Sequence, residues 1–504
     1  MSVPSSSDIV IIGTGHNGLV SGLMLARAGL RVTMLEASDV IGGATRTERP
    51  FPKVPGLQHS TGSYLLGLMP PELMRTLDIE IPVVRRDPHY FLPTPGDKYL
   101  LVGSQRVDNG IYSPRDLAAD EAMKAELAQL REDYAPAWLA EPGTVEETAA
   151  RYIRPALQET FIDLVRGSVL DYLKKFDFES ELLLSMYAVT DGLSGINAGP
   201  DDAGTGHNFL VHNMCRLPGA DGTWMIARGG MGTVSGTLAD AFVKAGGQIF
   251  TSARVAAVDV RAGSVSGVTL ADGRSITANV VLGSCDPFEL MKIAPVPAAV
   301  KARMLPLQRT GTTLKVNLAL SGLPAFTCLP PGSASPFGST IHLLPGSDGD
   351  QPLARLRNMW AQVQAGELPD EPTIEWYLHT TVDPSLQDEA GHHSSALFVQ
   401  SVPYGVELGS YVDHLLDICS QYAPNVRELV ADVFALPPSG IESHFRITGG
   451  HIHHVDNTVA LADRMPYFTG LPGLYAGSAG CHPAGSVIGA AGHNAAVRIL
   501  SDLA

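Results

Sequence analysis

The sequence has few cysteines, and none of them belongs to a recognisable motif. Its 504 residues include five cysteines, and no two of them form a C-x-x-C pair. This absence excludes a zinc ribbon and a redox-active dithiol loop. An odd number of unpatterned cysteines is typical of reduced thiols, and the opening stretch "MSVPSSSDIV" lacks the basic and apolar regions of a secretory leader. These features predict a cytoplasmic location, and no metal site is predicted.

Positive charge and long apolar runs are also scarce. Lysine and arginine number 35 against 52 acidic residues, which gives a formal net charge of −17. A nucleic-acid-binding protein needs a basic face, so nucleic acid is excluded as a partner. No stretch approaches the roughly 20 apolar residues of a membrane-spanning helix. Peripheral membrane contact needs only local apolar surface and is compatible with this composition, as is a homo-oligomer. The expected partner is a small-molecule substrate.

Glycine, in contrast, is abundant and forms a fingerprint near the start of the chain. Gly13, Gly15 and Gly18 have G-x-G-x-x-G spacing between a β-branched run, "DIVIIG", and a helical pattern, "HNGLVSGLMLARAGL". Glu36 ends a second strand-like run about 20 residues later, where an acid binds ribose hydroxyls. The glycines permit a tight turn, close approach of a pyrophosphate and close packing of helix on strand, while the helix N-terminus attracts the phosphates. The pattern predicts a dinucleotide site in an α/β domain.

The residues after Glu36 favour FAD over NAD. The stretch "ASDVIGGATRTERP" resembles the glycine-pair-plus-arginine segment of amine oxidase and phytoene desaturase flavoproteins. Near the other end, "GLYAGSAGCHPAGSVIGAAGHNAAVRIL" indicates a strand, a glycine-rich turn and a helix beginning near Gly489. The N-terminus of that helix would stabilise negative charge on a reduced flavin. A second loop, "GGMGTVSG", lacks the preceding strand and following acid, so no separate NAD(P)H domain is predicted.

These segments, with "SYLLGLMPPEL", "GTGHNFLVHNM" and "TGGHIHH" between them, resemble the phytoene desaturase-related FAD-dependent oxidoreductases. Within that family the chain resembles the branch of pyridine nucleotide-disulphide oxidoreductase domain-containing proteins. It departs from the family pattern at Cys481, where a threonine is usual. The resemblance implies an α/β fold with a Rossmann-like FAD-binding domain of the amine oxidase type, formed by 1–70, 215–300 and 441–504. An interleaved α+β substrate domain would comprise 71–214 and 301–440.

The residues expected to bind FAD come from four stretches of the chain. They are Gly13, Gly15, His16, Asn17 and Gly18 in the fingerprint, Glu36, Ala37, Gly43, Ala44 and Arg46 after it, Val255 in a middle strand, and Gly477, Ser478, Ser486, Val487 and Ile488 near the end.

Two residues are candidates for catalysis. The terminal motif implies that His482 lies beside the flavin, although a turn-stabilising histidine bonded to backbone is the alternative. Lys315, in the apolar run "TTLKVNLAL", would hold a water near the flavin as a lysine does in amine oxidases, or else be solvated at a strand edge. On a strand, His451 and His453 would share a face as metal ligands do, but no third ligand follows, so they are interpreted as scaffold.

The function predicted from these features is dehydrogenation of an apolar or amphipathic small molecule by hydride transfer to flavin N5, with oxygen or a quinone-like compound reoxidising the flavin. A mostly apolar substrate cavity is expected. Two alternatives stay open at this point: a non-redox isomerase or hydratase that uses FAD, and a binding or chaperone-like protein in which FAD fills a structural site.

Overall fold

A five-stranded parallel sheet forms the centre of one half of the molecule. The computed structural model describes residues 3–220 and 222–504. The β-branched run of the first strand is fully buried, as expected where helices cover both faces of a sheet. In spatial order the strands are Gln248–Phe250, Val32–Leu35, Ile9–Ile12, Val280–Gly283 and Leu474–Ala476.

The first and last helices of the chain pack directly against each other beside this sheet. They are His16–Arg27 and Ala490–Leu503. A Cβ added to Gly492 would lie 2.0 Å from the backbone oxygen of Asn17, so the two backbones touch. The Ser21 hydroxyl donates to the Gly492 carbonyl at 2.8 Å. The two ends of the chain are therefore joined at one side of the parallel sheet.

A small antiparallel sheet and three helices complete this half. Its hairpin turns at Asp272 and Gly273, with Gly273 at a φ of +88°. The sheet contains Val255–Arg261, Ser264–Leu270 and Ser275–Thr277, and the helices are Gly232–Lys244, Pro287–Ile293 and Ala298–Met304.

An eight-stranded mixed sheet forms the other half. One pair of neighbours, Thr340–Leu343 and Tyr90–Pro93, is parallel, and its other hydrogen-bonded neighbours are antiparallel. The strand Leu314–Leu320 is interior and fully buried. In spatial order the strands are Val430–Leu436, Leu314–Leu320, His393–Val399, Ile374–Leu378, Thr340–Leu343, Tyr90–Pro93, Tyr99–Val102 and Arg106–Asn109.

A helical segment packs beside the larger sheet around its own apolar cluster. Its first two long helices begin with capping boxes, at Ser113 with Asp116 and at Thr144 with Glu147. The segment contains Pro114–Tyr134, Val145–Tyr152, Gln158–Arg166, Val169–Lys174, Glu181–Tyr187 and Thr205–His212. The remaining helices are Pro71–Thr76, Pro352–Gln364, Tyr411–Tyr422, Val426–Leu429 and Pro438–Phe445.

The architecture is the α/β class with a Rossmann-like sheet that the sequence predicts. The parallel strands fall within 1–70, 215–300 and 441–504, and the larger sheet uses strands from 71–214 and 301–440. The exact domain boundaries stay a prediction. His451 and His453 lie outside the strands, and His451 Nε2 is 3.0 Å from the buried carboxylate of Asp456. Within the parts of the chain described, no helix has the length and apolarity to cross a membrane.

The contact between the chain ends predicts opposite effects for two helical glycines. Gly492→Ala places a methyl against the Asn17 backbone, and we expect it to lower the free energy of unfolding by about 3 kcal/mol. Gly236→Ala, within Gly232–Lys244, adds a methyl that meets open space, and it should raise stability by up to about 1 kcal/mol. Denaturant unfolding of both variants measures this. Equal effects would contradict the backbone contact.

Candidate active site

A first cavity lies at the carboxyl ends of the parallel strands. Its volume is about 440 Å³. Ile12 and Leu35, the last residues of two adjacent strands, are in its wall. Most of the residues predicted for FAD line it, and they are Gly13, Gly15, His16, Asn17, Glu36, Ala37, Gly43, Ala44, Val255, Ser486 and Val487. The structure thus brings the two ends of the chain to a single cavity.

The three fingerprint glycines have distinct local environments. Gly13 has a φ of +96°, which L side chains rarely adopt. A Cβ on Gly18 would lie 2.7 Å from Ser284 Oγ and 2.8 Å from the Gly13 oxygen, so only glycine lets the helix pack this closely. A Cβ on Gly15 would meet nothing within 4 Å, because that position faces the cavity. The helix that follows has no side-chain cap, so its first N–H groups and its positive dipole end are available to phosphate.

Glu36 is held in place by its neighbours while still lining the cavity. One carboxylate oxygen accepts from the Thr14 backbone N–H at 2.9 Å and from the Thr14 hydroxyl at 2.7 Å. The other oxygen accepts from the Ser38 N–H at 2.9 Å. A carboxylate has about four acceptor positions, so capacity remains for a ribose hydroxyl.

Two partly buried histidines in the wall of the same cavity have a buried ring nitrogen without a partner. His16 Nε2 and His454 Nδ1 make no hydrogen bond to any residue in 3–220 or 222–504. Burial lowers the pKa of His16 to about 4 and that of His454 to about 3, so both rings are neutral near pH 7. Unpaired buried polar atoms are costly, and a polar ligand in this cavity would satisfy them. The cavity fits a dinucleotide such as FAD.

Several residues predicted to touch FAD lie outside both cavities, namely Gly18, Arg46, Gly477, Ser478 and Ile488. Arg46 lies 3.3 Å from Glu48, and its guanidinium is 4.9 Å from the centre of the Phe445 ring. Gly477 donates to the Gly283 carbonyl, and the Ser478 hydroxyl accepts from Gly480. Ile488 packs in the apolar cluster of the helical segment. These residues shape the walls from behind.

His482, which the terminal motif predicts beside the flavin, is also outside both cavities. Its Nε2 is 2.9 Å from the Ala137 carbonyl oxygen, and the residue is 1% exposed. Burial lowers its pKa to about 4. The ring is drawn to a backbone acceptor of the helical segment, which agrees with the alternative of a turn-stabilising histidine.

The second cavity lies between the eight-stranded sheet and the helical segment. Its volume is about 320 Å³, with Glu375 and Tyr377 contributed by the sheet and Met186 and Phe209 by helices. The two cavities meet, because six residues line both, namely Ser63, Lys315, Ile452, His453, Ser486 and Val487.

Lys315 lies at this junction without an ion-pair partner in the described part of the chain. Its Nζ is 4.1 Å from the centre of the Tyr64 ring and 4.3 Å from that of Phe398. The residue is 5% exposed on an interior strand, so it is not a solvated edge lysine. Burial lowers its pKa to about 7, although the nearby carboxyl of Glu375 opposes the shift. At neutral pH the amine is therefore poised between its charged and neutral forms.

The surface of the second cavity is mostly apolar, as the sequence predicts, but its wall also contains ionisable groups. Burial raises the pKa of Glu375 to about 7, and this carboxyl accepts from the Tyr377 hydroxyl and, at 2.8 Å, from Gln400. Sequence reasoning missed Glu375, although a charge inside the buried-strand pattern "TIEWYL" was an available signal. The ionisable residues of the wall also include Arg86, Lys124, Asp191, His212 and the tyrosines 64, 90, 112, 187 and 377.

Known proteins are similar to this chain in sequence or in fold. Residues 18–352 match the family described as flavin containing amine oxidoreductase. The pyridine nucleotide-disulfide oxidoreductase domain-containing protein 2 of Mus musculus is 30% identical, and the match covers 98% of this chain and 94% of that protein. Hydroxyneurosporene desaturase of Cereibacter sphaeroides is 26% identical over 98% of each chain. An oxidoreductase structure from Methanosarcina mazei, at 16% identity, has a TM-score of 0.61 and covers 98% of this chain and 99% of that one, which shows a shared fold.

The open position at Gly15 predicts a defect in cofactor retention without a defect in folding. Gly15→Ala places a methyl in the cavity and not against the protein, so the apoprotein should keep its Tm. We expect FAD affinity to fall about 10-fold or more, which corresponds to about 1.4 kcal/mol. Fluorescence titration of the apoprotein with FAD measures this. Gly236→Ala, which also meets open space but lies outside the cavity, is the control and should bind FAD normally.

Proposed function

Since the chain belongs to the flavin containing amine oxidoreductase family and is an FAD-dependent oxidoreductase, we propose that it dehydrogenates an amphipathic small molecule held in the second cavity. The observation that carries this proposal is the junction of the two cavities through shared wall residues, which include Lys315 and Ser486. A cofactor in the first cavity and a reactant in the second would meet there.

The first cavity supplies the groups that FAD requires. The uncapped helix after Gly15 suits the pyrophosphate, Glu36 suits a ribose hydroxyl, and Val255 belongs to the wall beyond it. Bound FAD supplies the hydride-accepting centre for oxidation of a substrate carbon. Proton transfer and orientation of the reactant are assigned to side chains of this chain.

Lys315 is proposed to manage the proton that accompanies oxidation. Its neutral Nζ accepts a proton from a substrate N–H or O–H, directly or through one water. The pKa of about 7 makes a large fraction of neutral amine available at physiological pH. The faces of Tyr64 and Phe398 stabilise the protonated form by cation–π attraction, so the proton can reside on Nζ after transfer.

Several other residues of the wall are proposed to orient the reactant and exclude water. Tyrosine hydroxyls and the carboxyls of Asp191 and Glu375 offer hydrogen bonds, whereas Met186 and Phe209 contact apolar parts. This mixture supports an amphipathic substrate over a purely apolar one. Oxygen or a quinone-like compound is the proposed electron acceptor, because the sequence has no second dinucleotide fingerprint.

Anaerobic flavin reduction tests the proposed function. The purified holoprotein is mixed with amines, cyclic ketones and polyenes, and the visible flavin absorbance is followed. We expect a member of one class to bleach the flavin, and admission of oxygen or a quinone to restore the colour. A product that forms only with pre-reduced flavin, without consumption of an acceptor, would contradict dehydrogenation and favour an isomerase.

The position and pKa of Lys315 predict a pH profile. Because only the neutral amine accepts a proton, the rate constant of flavin reduction should rise with pH through about 7 and then level off. Lys315→Met should lower that rate constant by about 100-fold or more and remove the rise. Stopped-flow measurement of this rate constant between about pH 5.5 and pH 9 provides the test.

Two further variants separate Lys315 from its neighbour Glu375, whose pKa is also about 7. Lys315→Arg keeps a positive charge but does not lose its proton, so it should remove the rise as Lys315→Met does. Glu375→Gln should keep the rise. The assignment to Lys315 fails if Glu375→Gln is the variant that abolishes it.

A further inference from the structure

We propose that Arg86 selects substrates that carry a carboxylate, by binding that group inside the second cavity. The inference rests on the proposed function, because it specifies the substrate class of the same cavity. Arg86 lines the second cavity and does not line the first. Its guanidinium therefore lies on the part of the wall that the substrate alone would contact, away from the junction at Lys315.

The guanidinium of Arg86 is buried but only partly satisfied. The residue is 3% exposed. Its Nε donates to the Trp224 carbonyl at 2.8 Å, and its Nη1 donates to the Thr340 hydroxyl at 2.9 Å. Its Nη2 makes no hydrogen bond within residues 3–220 and 222–504, where no carboxylate oxygen comes within 4.0 Å of the guanidinium. The N–H donors of Nη2, at one edge of the planar guanidinium, are therefore left for a ligand.

Among the described residues, no acid of the same wall forms an ion pair with Arg86, although Glu375 favours its charged form at longer range. Burial lowers its pKa to about 10, which leaves it protonated at neutral pH. Glu375 already accepts from Tyr377 and Gln400. Asp191 accepts from Asn213 at 3.3 Å, and burial raises the pKa of this carboxyl to about 7. An uncompensated buried cation is costly, so an anionic ligand would be bound favourably.

A second buried arginine shows how this chain satisfies a guanidinium whose role is structural. Arg464 is 1% exposed, and each of its three nitrogens donates to at least one backbone carbonyl. Its acceptors include Cys481 for Nε and Val455 and Ala479 for Nη2. Arg86 lacks such a set and opens on a cavity, which is the arrangement of a recognition site.

The geometry favours a carboxylate over other polar groups. Arginine presents parallel N–H donors that match the two oxygens of a carboxylate, whereas a neutral amide offers one carbonyl oxygen without charge, and an ammonium group would be repelled. The Thr340 hydroxyl, fixed by Nη1, stands beside this fork. With the carboxylate on Arg86, an amphipathic substrate would direct its other end toward the junction with the first cavity.

Equilibrium binding of benzoate tests this assignment without requiring turnover. Isothermal titration calorimetry of the holoprotein compares benzoate with benzamide, a neutral molecule of the same shape. We expect benzoate to bind and benzamide to bind about 10-fold or more weakly, because charge-assisted hydrogen bonds are roughly twice as strong as neutral ones. Arg86→Met should weaken benzoate about 30-fold and abolish the preference for the anion. Arg86→Lys should restore part of it, since it keeps the charge but not the fork.

The matched control is Lys124, which lines the same cavity but is 2.8 Å from Asp120 and so already paired. Lys124→Met should leave benzoate affinity unchanged. If wild-type protein does not prefer benzoate, or if Arg86→Met and Lys124→Met weaken it equally, the assignment is overturned. Flavin content and circular dichroism of each variant identify a folding defect. If Arg86→Met does not fold, the benzoate affinity of Arg86→Lys is the deciding measurement. The two proposals can fail separately. If benzoate binding depends on Arg86 but no candidate substrate reduces the flavin, this inference stands while the proposed function fails.

Discussion

The backbone contact between the first and last helices is the constraint on which the rest of the structure depends. Gly492 lies directly against Asn17, so residues separated by almost the whole chain form one wall. This contact places an uncapped helix start beside Ser486 and Val487 of the terminal segment. The N-terminus of the first helix presents free N–H donors and a positive dipole end to this cavity, and that suits a ligand with anionic phosphates.

The cofactor cavity was largely predictable from sequence because its determinants are local. Gly13 has a positive φ, and Gly18 allows the first helix to pack closely on its neighbours. Glu36 is oriented by Thr14, within the fingerprint, and by Ser38, two residues away. Such requirements restrict residue types at fixed spacing, and a single sequence displays them. The interleaved second domain, in contrast, was predicted from the resemblance to a known family and not from hydrophobic periodicity.

The second cavity was not predictable because its determinants are distant in the chain. Arg86 is positioned by Trp224 and Thr340, and the direction of the His482 ring is set by Ala137. Motif position alone suggested that His482 faces the flavin, but a carbonyl from another segment satisfies it instead. Spacing gives no information about partners that meet only after the two sheets and the helical segment have assembled.

The limited overlap between the two cavities has an evolutionary consequence. Only a short shared wall, which includes Ser63 and Ile452, belongs to both. Elsewhere the sheet and helical segment can exchange wall residues without altering the groups that hold the nucleotide. One scaffold can therefore acquire new reactants by mutation of an independent set of positions, while the inherited redox chemistry is carried forward intact.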